Sequence, residues 1–289
     1  MSPDHVRTDH VRRAAVLGHP IGHSLSPVLH RAAYDALGLT GWSYQAVDVD
    51  EAGLADFLSG LDDSWAGLSL TMPLKRVVRP LLVAESALAT AVGAVNTVTF
   101  TPDGPYGDNT DVPGLVAALR EIGVERVHRA SVLGGGATAT SAIAALRELG
   151  CHRPTVHVRR RSTIVQLQDA AERLQMRPVP AGLDAEGLAA LADAELVIST
   201  VPAGAADALT EPLLVAARRR TGALPPLMDV VYAPWPTVLA RRWTDVGGRA
   251  VGGFLLLLHQ AGEQVRLMTG HPAPLERMRR AGEAELARR

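Results

Sequence analysis

The stretch Ala130-Ser131-Val132-Leu133-Gly134-Gly135-Gly136-Ala137-Thr138-Ala139 decides the fold. A short apolar run enters three glycines, and Thr138–Leu149 continues with helical spacing. The order is strand, then G-x-G-x-x-A, then helix. Glycine there permits a tight turn and a close backbone approach, and the helix offers unpaired N–H groups to a pyrophosphate. Many glycine-rich turns are only turns, but the flanking strand and helix are the context that the motif requires. The pattern predicts Gly134, Gly135, Gly136, Ala137 and Thr138 as contacts of a dinucleotide cofactor.

The next strand, Thr155–Val158, is expected to end beside the adenosine ribose. In NAD-binding versions an acidic residue stands there, about 20 residues beyond the glycines. This chain has Arg159-Arg160-Arg161-Ser162 instead. Arginine grips a phosphate through paired hydrogen bonds, whereas an acid would repel a 2′-phosphate. The cofactor is therefore predicted to be NADP(H), held above all by Arg159 and Arg160; a solvated basic loop is the alternative reading.

Outward from this unit, strands and helices alternate. Leu196–Val201 and Leu227–Val231 are continuous apolar runs, as in strands buried on both faces. Ser26–Leu37, Asp50–Leu58, Val112–Ile122, Ile164–Leu174, Val251–Met268 and Ala273–Leu286 read as helices, and Ala14–Leu17, Ser43–Val49, Trp65–Leu70 and Val95–Phe100 as strands. Pro102, Gly104, Pro105 and Gly107 read as turns. The fold class is α/β, with βαβ units and a parallel sheet. Two domains are expected around a cleft: residues 1–111, regaining C-terminal helices over 248–289, bind substrate and do the chemistry, and residues 112–247 form the dinucleotide domain.

Composition narrows the function. Lys+Arg total 29 against Asp+Glu 30, which argues against a nucleic-acid binder. A single cysteine, Cys151, excludes a disulfide framework. No apolar run approaches the ~20 residues of a membrane span, and the first dozen residues carry no apolar signal core. These features point to a soluble protein of a reducing, cytoplasmic compartment; a small-molecule substrate is expected, and a monomer or homodimer, a choice that composition does not make. The ten histidines show no ligand spacing, so no metal is expected. Lys75 is the only lysine; every other basic residue is arginine. Arginine stays protonated in proteins, so a lone lysine marks a place where a titratable ammonium is required, or the chance survival of a surface residue.

Four segments outside the glycine unit are rich in small polar groups. Ser24-Leu25-Ser26-Pro27 puts two hydroxyls just before a helix, where both could face one anion; Ser26 reads equally as a helix cap. Thr71-Met72-Pro73-Leu74-Lys75 contains the lone lysine, and Gly93-Ala94-Val95-Asn96-Thr97 leads an Asn into a strand. Gly107-Asp108-Asn109-Thr110-Asp111 ends in a carboxylate. Taken singly, Asn96 reads as a turn residue and Asp111 as a helix cap.

Together these segments resemble the shikimate dehydrogenase family nearly end to end. Gly18-His19-Pro20-Ile21-Gly22-His23-Ser24-Leu25-Ser26-Pro27-Val28-Leu29-His30 resembles its opening signature. Thr71–Lys75 and Gly107–Asp111 resemble its catalytic segments, and Ser199-Thr200-Val201-Pro202-Ala203-Gly204 a loop near the nicotinamide. Asp229-Val230-Val231-Tyr232-Ala233-Pro234-Trp235-Pro236-Thr237 and Gly253–Gln260 resemble its closing motifs.

The resemblance implies reversible NADPH-linked reduction of 3-dehydroshikimate to shikimate, in aromatic amino-acid (chorismate) biosynthesis. It implies that Lys75 and Asp111 form the catalytic pair, that Ser24 and Ser26 bind the substrate carboxylate, and that Thr71, Asn96, Tyr232 and Gln260 hold ring hydroxyls or carboxylate. Thr200, Val201, Pro202 and Gly253 join the cofactor set. A quinate or quinate/shikimate dehydrogenase, or a substrate-altered paralogue, is the nearest alternative. A non-catalytic NADP-binding module would keep the glycine loop and lose Lys75 and Asp111. Ser69-Leu70 stands where many members have Asn-Val, and serine is the shorter donor.

Overall fold

The computed structural model describes residues 11–159, 164–219 and 222–289. In chain order the elements are β1 (Arg12–Gly18), α1 (Ser26–Leu37), β2 (Trp42–Asp48), α2 (Leu54–Ser59), β3 (Trp65–Leu70), α3 (Leu74–Val77), β4 (Ala84–Glu85), α4 (Ala87–Val92), β5 (Thr97–Thr101) and β6 (Gly104–Asp108). Then follow α5 (Asp111–Glu121), β7 (Ala130–Leu133), α6 (Ala137–Glu148), β8 (Thr155–His157), α7 (Ile164–Arg173), β9 (Val179–Ala181), α8 (Ala185–Leu188) and β10 (Leu196–Ser199). The chain closes with α9 (Thr210–Ala217), β11 (Leu227–Asp229), α10 (Val238–Asp245), β12 (Ala250–Gly252), α11 (Phe254–Thr269) and α12 (Leu275–Leu286). Among the described residues no helix is long and apolar enough to cross a membrane.

The chain divides into two compact units. The first comprises Met1–Ser86, Val95–Asp108 and Ala261–Arg289, and the second Ala87–Ala94 and Asn109–Gln260. The return to the first unit thus falls within α11, at 261, where the sequence pattern put it near 248, and α4 belongs to the second unit.

The first unit is built on a six-stranded mixed sheet of order β2-β1-β3-β5-β6-β4. β1 runs parallel to both β2 and β3, while β5 pairs antiparallel with β3 and β6. β6 lies where turns were expected. Its Pro105 sits near the start of the strand, where a missing N–H costs the ladder little, and its carbonyl still accepts from Val83 N at 3.0 Å. α12 packs on α1, and Tyr34, Tyr44 and Met268 sit in a core with Ala14, Val16 and Ile21.

The second unit holds a six-stranded, all-parallel sheet of order β12-β11-β10-β7-β8-β9. Numbered from β7, that order is 3-2-1-4-5-6, the doubly wound dinucleotide-binding arrangement. Its central strands are buried, as their continuous apolar runs required: every residue of β7, β10 and β11 is buried. β12 is a strand where the sequence suggested the start of a helix. Residues 250–258 are almost uniformly apolar, so periodicity could not separate the strand from α11. α10 is capped by the Thr237 hydroxyl, which accepts from Ala240 N at 3.1 Å.

Candidate active site

The carboxyl ends of β7, β8, β10 and β11 gather the cofactor-type residues of the second unit. The strand order reverses between β7 and β10, and such a switch point is where ligands bind in sheets of this kind. Gly134 leaves β7 at φ +111°, a conformation open to glycine, and donates its N–H to His157 O at 2.9 Å. A Cβ on Gly134 would stand 2.5 Å from Thr200 Oγ1. Thr200 is itself pinned, with its N–H and hydroxyl both donating to Leu133 O, at 2.9 and 2.7 Å. Around Gly136 a Cβ would meet nothing within 4 Å, so this backbone can be approached closely, and α6 opens immediately afterwards with Ala137 and Thr138. A pyrophosphate fits this arrangement: open space before the unpaired N–H groups of a 12-residue helix.

Arg159 is exposed two residues beyond β8. Arg160, with Arg161 and Ser162, lies outside the described residues.

A small pocket follows the ends of β10 and β11, lined by Ser199, Val201, Pro202, Gly204, Asp229, Val231 and Thr237 among others. Asp229 is buried there. Its carboxylate accepts from Val231 N at 3.2 Å and Thr237 Oγ1 at 2.8 Å, and burial pushes its pKa up against those bonds. The half-buried Tyr232 follows on the same turn. Gly253 closes it: its N–H donates to Val231 O at 3.0 Å, and any Cβ would overlap the Val230 carbonyl. The absence of a side chain at 253 therefore has a packing cause of its own.

Asp111 is the first residue of α5 and is 5% exposed. Asn109 caps this helix, its Oδ1 accepting from Val112 N at 3.2 Å while its Nδ2 donates to Ala94 O at 2.9 Å. The cap is thus supplied without the Asp111 carboxylate. Gln260 is buried; Thr110 Oγ1 lies 3.5 Å from its Oε1, and α5 approaches so closely that a Cβ on Gly114 would stand 2.8 Å from Gln260 N.

In the first unit, Ser24 and Ser26 come after β1, Thr71 and Lys75 after β3, and Asn96 stands just before β5; main-chain bonds hold the last three. Thr71 N donates to Leu17 O at 2.9 Å, Val95 N to Lys75 O at 2.8 Å, and Leu70 N to Asn96 O at 2.8 Å. Ser24 Oγ accepts from Ser26 N at 3.3 Å, which directs the Ser24 proton to another acceptor. Ser26 makes no side-chain cap at α1; its hydroxyl serves the Tyr44 phenol instead. Burial holds that phenol well above its ordinary pKa, opposed by the Ser69 and Ser26 hydroxyls.

Tyr44 and Gln264, which the sequence did not single out, support this unit together with Ser69 and His30. Tyr44 donates to Ser69, Ser69 donates to Gln264, and His30 stacks on Tyr44. Gln264 stands one helical turn after Gln260 on α11 and both are buried, so the i, i+4 pair of glutamines was the available signal.

Two family models match this chain: the shikimate dehydrogenase substrate binding domain over residues 16–98, and the shikimate 5′-dehydrogenase C-terminal domain over residues 253–281. The chain is 33% identical over 281 residues to shikimate dehydrogenase (NADP(+)) of Synechococcus sp. (strain JA-2-3B'a(2-13)), covering 94% of this chain and 95% of that one. The crystal structure of Mycobacterium tuberculosis shikimate dehydrogenase is 40% identical with a TM-score of 0.85, covering 94% and 99% of the two chains. That of Thermus thermophilus shikimate 5-dehydrogenase, in complex with NADP(H) and shikimate, is 32% identical with a TM-score of 0.81 and the same coverage. With the parallel sheet, the glycine turn and the polar strand ends all present, the likeness runs through nearly the whole polypeptide, and the chain belongs to the shikimate dehydrogenase family.

Proposed function

We propose that the chain catalyses the reversible NADPH-dependent reduction of 3-dehydroshikimate to shikimate, an oxidoreductase reaction at a CH–OH carbon in chorismate biosynthesis. The observation that carries this reading is the family likeness over 94% of the chain, with Lys75 and Asp111 both retained in their motifs. When bound, NADPH supplies a hydride to the substrate's carbonyl carbon.

The chain's residues do the rest. Negative charge builds on the carbonyl oxygen, and the Lys75 ammonium gives that oxygen a proton; in the reverse direction Lys75 takes it back. Asp111 is assigned as the carboxylate partner that anchors the Lys75 amine at the reacting oxygen and shares in the proton transfer. Ser24 is assigned to the substrate carboxylate as a hydroxyl donor, and Ser26 to the same carboxylate once its hydroxyl turns from the Tyr44 phenol. Thr71, Asn96, Tyr232 and Gln260 are assigned to its ring hydroxyls or carboxylate. The Gly134–Thr138 turn is assigned to the pyrophosphate, with Arg159 and Arg160 at the 2′-phosphate and Thr200, Val201, Pro202 and Gly253 lining the nicotinamide end.

The test is an assay of the purified chain with 3-dehydroshikimate and NADPH or NADH, and with quinate and NADP(+) or NAD(+). Loss of NADPH absorbance with 3-dehydroshikimate supports the reading; turnover of quinate alone gives the reaction to that acid; NADPH binding without turnover of either sinks it. A cytoplasmic location is part of the same proposal, and cell fractionation checks it.

A further inference from the structure

A line of buried hydrogen bonds in the first unit runs from Tyr44 to Asn96, and its direction can be read. Tyr44 Oη donates to Ser69 Oγ at 2.6 Å, and Ser69 Oγ to Gln264 Oε1 at 2.8 Å. Gln264 Nε2 donates to Thr97 Oγ1 at 3.1 Å, and Thr97 Oγ1 to Asn96 Oδ1 at 3.0 Å. Tyr44, Ser69, Gln264, Thr97 and Asn96 are each at most 3% exposed.

One further bond anchors the direction. Gln264 Nε2 also lies 3.2 Å from the main-chain oxygen of Asn96. A peptide oxygen only accepts, so the nitrogen of the Gln264 amide must face Asn96 and its oxygen must face Ser69. The Thr97 hydroxyl therefore accepts from Gln264 and spends its single proton on Asn96 Oδ1. Ser69, accepting from Tyr44, spends its proton on Gln264. A flip of the Gln264 amide would set its oxygen against the Asn96 main-chain oxygen, acceptor against acceptor, in a site closed to water.

We propose that Gln264 is a positioning residue which, through Thr97, fixes the Asn96 side chain with its oxygen engaged inside the protein, so that Asn96 meets substrate as an N–H donor. Asn96 then offers its NH₂ group to an acceptor oxygen on the ring. The inference rests on the reading above that Asn96 contacts substrate. The Ser69 departure fits the same scheme: the short side chain receives Gln264 from α11 and Tyr44 from β2 at once.

The chain contains two asparagines, Asn96 and Asn109, so protein labelled with ¹⁵N-asparagine gives two side-chain NH₂ groups in its spectrum. Thr97→Val keeps the side-chain volume and removes the last donor. We expect one Asn NH₂ pair to move and the other to stay, and the KM for 3-dehydroshikimate to rise about tenfold. The kcat and the KM for NADPH should stay within about twofold, and Thr97→Ser should restore the wild-type values. Gln264→Met, which breaks the line one bond earlier, should move the same NH₂ pair.

An unmoved Asn spectrum in folded Thr97→Val overturns the proposal. So does a KM for substrate that stays put, or a joint fall of kcat and NADPH affinity that Thr97→Ser fails to rescue, which would mark a merely structural role. If the wild-type chain does not reduce 3-dehydroshikimate, the functional reading fails instead, and the two NH₂ signals alone decide whether the line of bonds holds Asn96.

Discussion

The imidazole of His30 lies flat on the phenol ring of Tyr44, with centroids 3.9 Å apart and planes 15° from parallel. His30 Nδ1 is 2.9 Å from Ser26 O, an acceptor only, so Nδ1 carries the proton and Nε2 presents a bare lone pair. Nε2 is buried without a partner. A proton added there would be a buried, uncompensated charge, and burial accordingly lowers the His30 pKa from 6.5 to about 4.

That shift makes His30 an acid-side liability. Between pH 6.5 and about 4 the unfolded chain takes up a proton at His30 that the native state refuses. Stability therefore falls as pH drops through this window, by on the order of 3 kcal/mol in full. His30→Phe keeps the stack on Tyr44 and removes the titration. In urea unfolding across this range the variant should lose less stability than wild type. Near neutral pH it should sit about 1 kcal/mol lower, because Ser26 O loses its donor. Parallel pH curves for the two proteins would refute the assignment.

Lys75→Met is expected to reduce kcat by about 10²–10⁴-fold, the usual worth of a positioned general acid. Affinity for NADPH, read by fluorescence titration, should be unchanged, because Lys75 is assigned no cofactor contact. Asp111→Asn should cost a comparable factor, and the double variant should be no worse than the poorer single one, since groups that act as a unit are non-additive. Multiplicative losses would show that the two residues act independently.

Much of this was legible from residues alone, for identifiable reasons. The glycine turn and the continuous apolar strands are signals that neighbouring residues complete locally. Long-range partners are different. Gln264 acts on Ser69 and Thr97, far away in sequence, and its spacing from Gln260 was the one local hint of it. β6 was hidden because Pro105 and its glycines carry turn chemistry, and only pairing with β5 makes them a strand. Asn109 took the capping role that the sequence left open for Asp111, a choice made by three residues of backbone geometry.

Asp229 shows pH behaviour of the opposite sign to His30. Burial raises its pKa above the ordinary 3.8, although Thr237 and Val231 donate to it. As pH rises through that value and on towards the folded pKa, the native state keeps a proton that the unfolded chain has lost, so this residue makes stability fall with rising pH. Asp229→Asn removes the contribution while keeping an oxygen for Val231 N–H. The variant's stability relative to wild type should therefore increase with pH above 3.8. A constant difference across that range would mean that Asp229 titrates normally in the folded protein.

Cofactor choice is expected to reside in the arginines after β8. A 2′-phosphate carries charge that NAD lacks, so a residue that grips it stabilises one cofactor and barely affects the other. Charge-assisted hydrogen bonds of this kind contribute about 1.5–3 kcal/mol each, or roughly 10–150-fold in affinity. Arg159→Ala and Arg160→Ala should each weaken NADPH binding by an amount in that range while leaving NADH nearly untouched, and the loss should shrink at high salt as the pairing is screened. Titration of both cofactors against both variants measures it. Equal weakening of NADPH and NADH would mean that these side chains serve the loop and not the phosphate, and the preference would then have to arise elsewhere along the ribose.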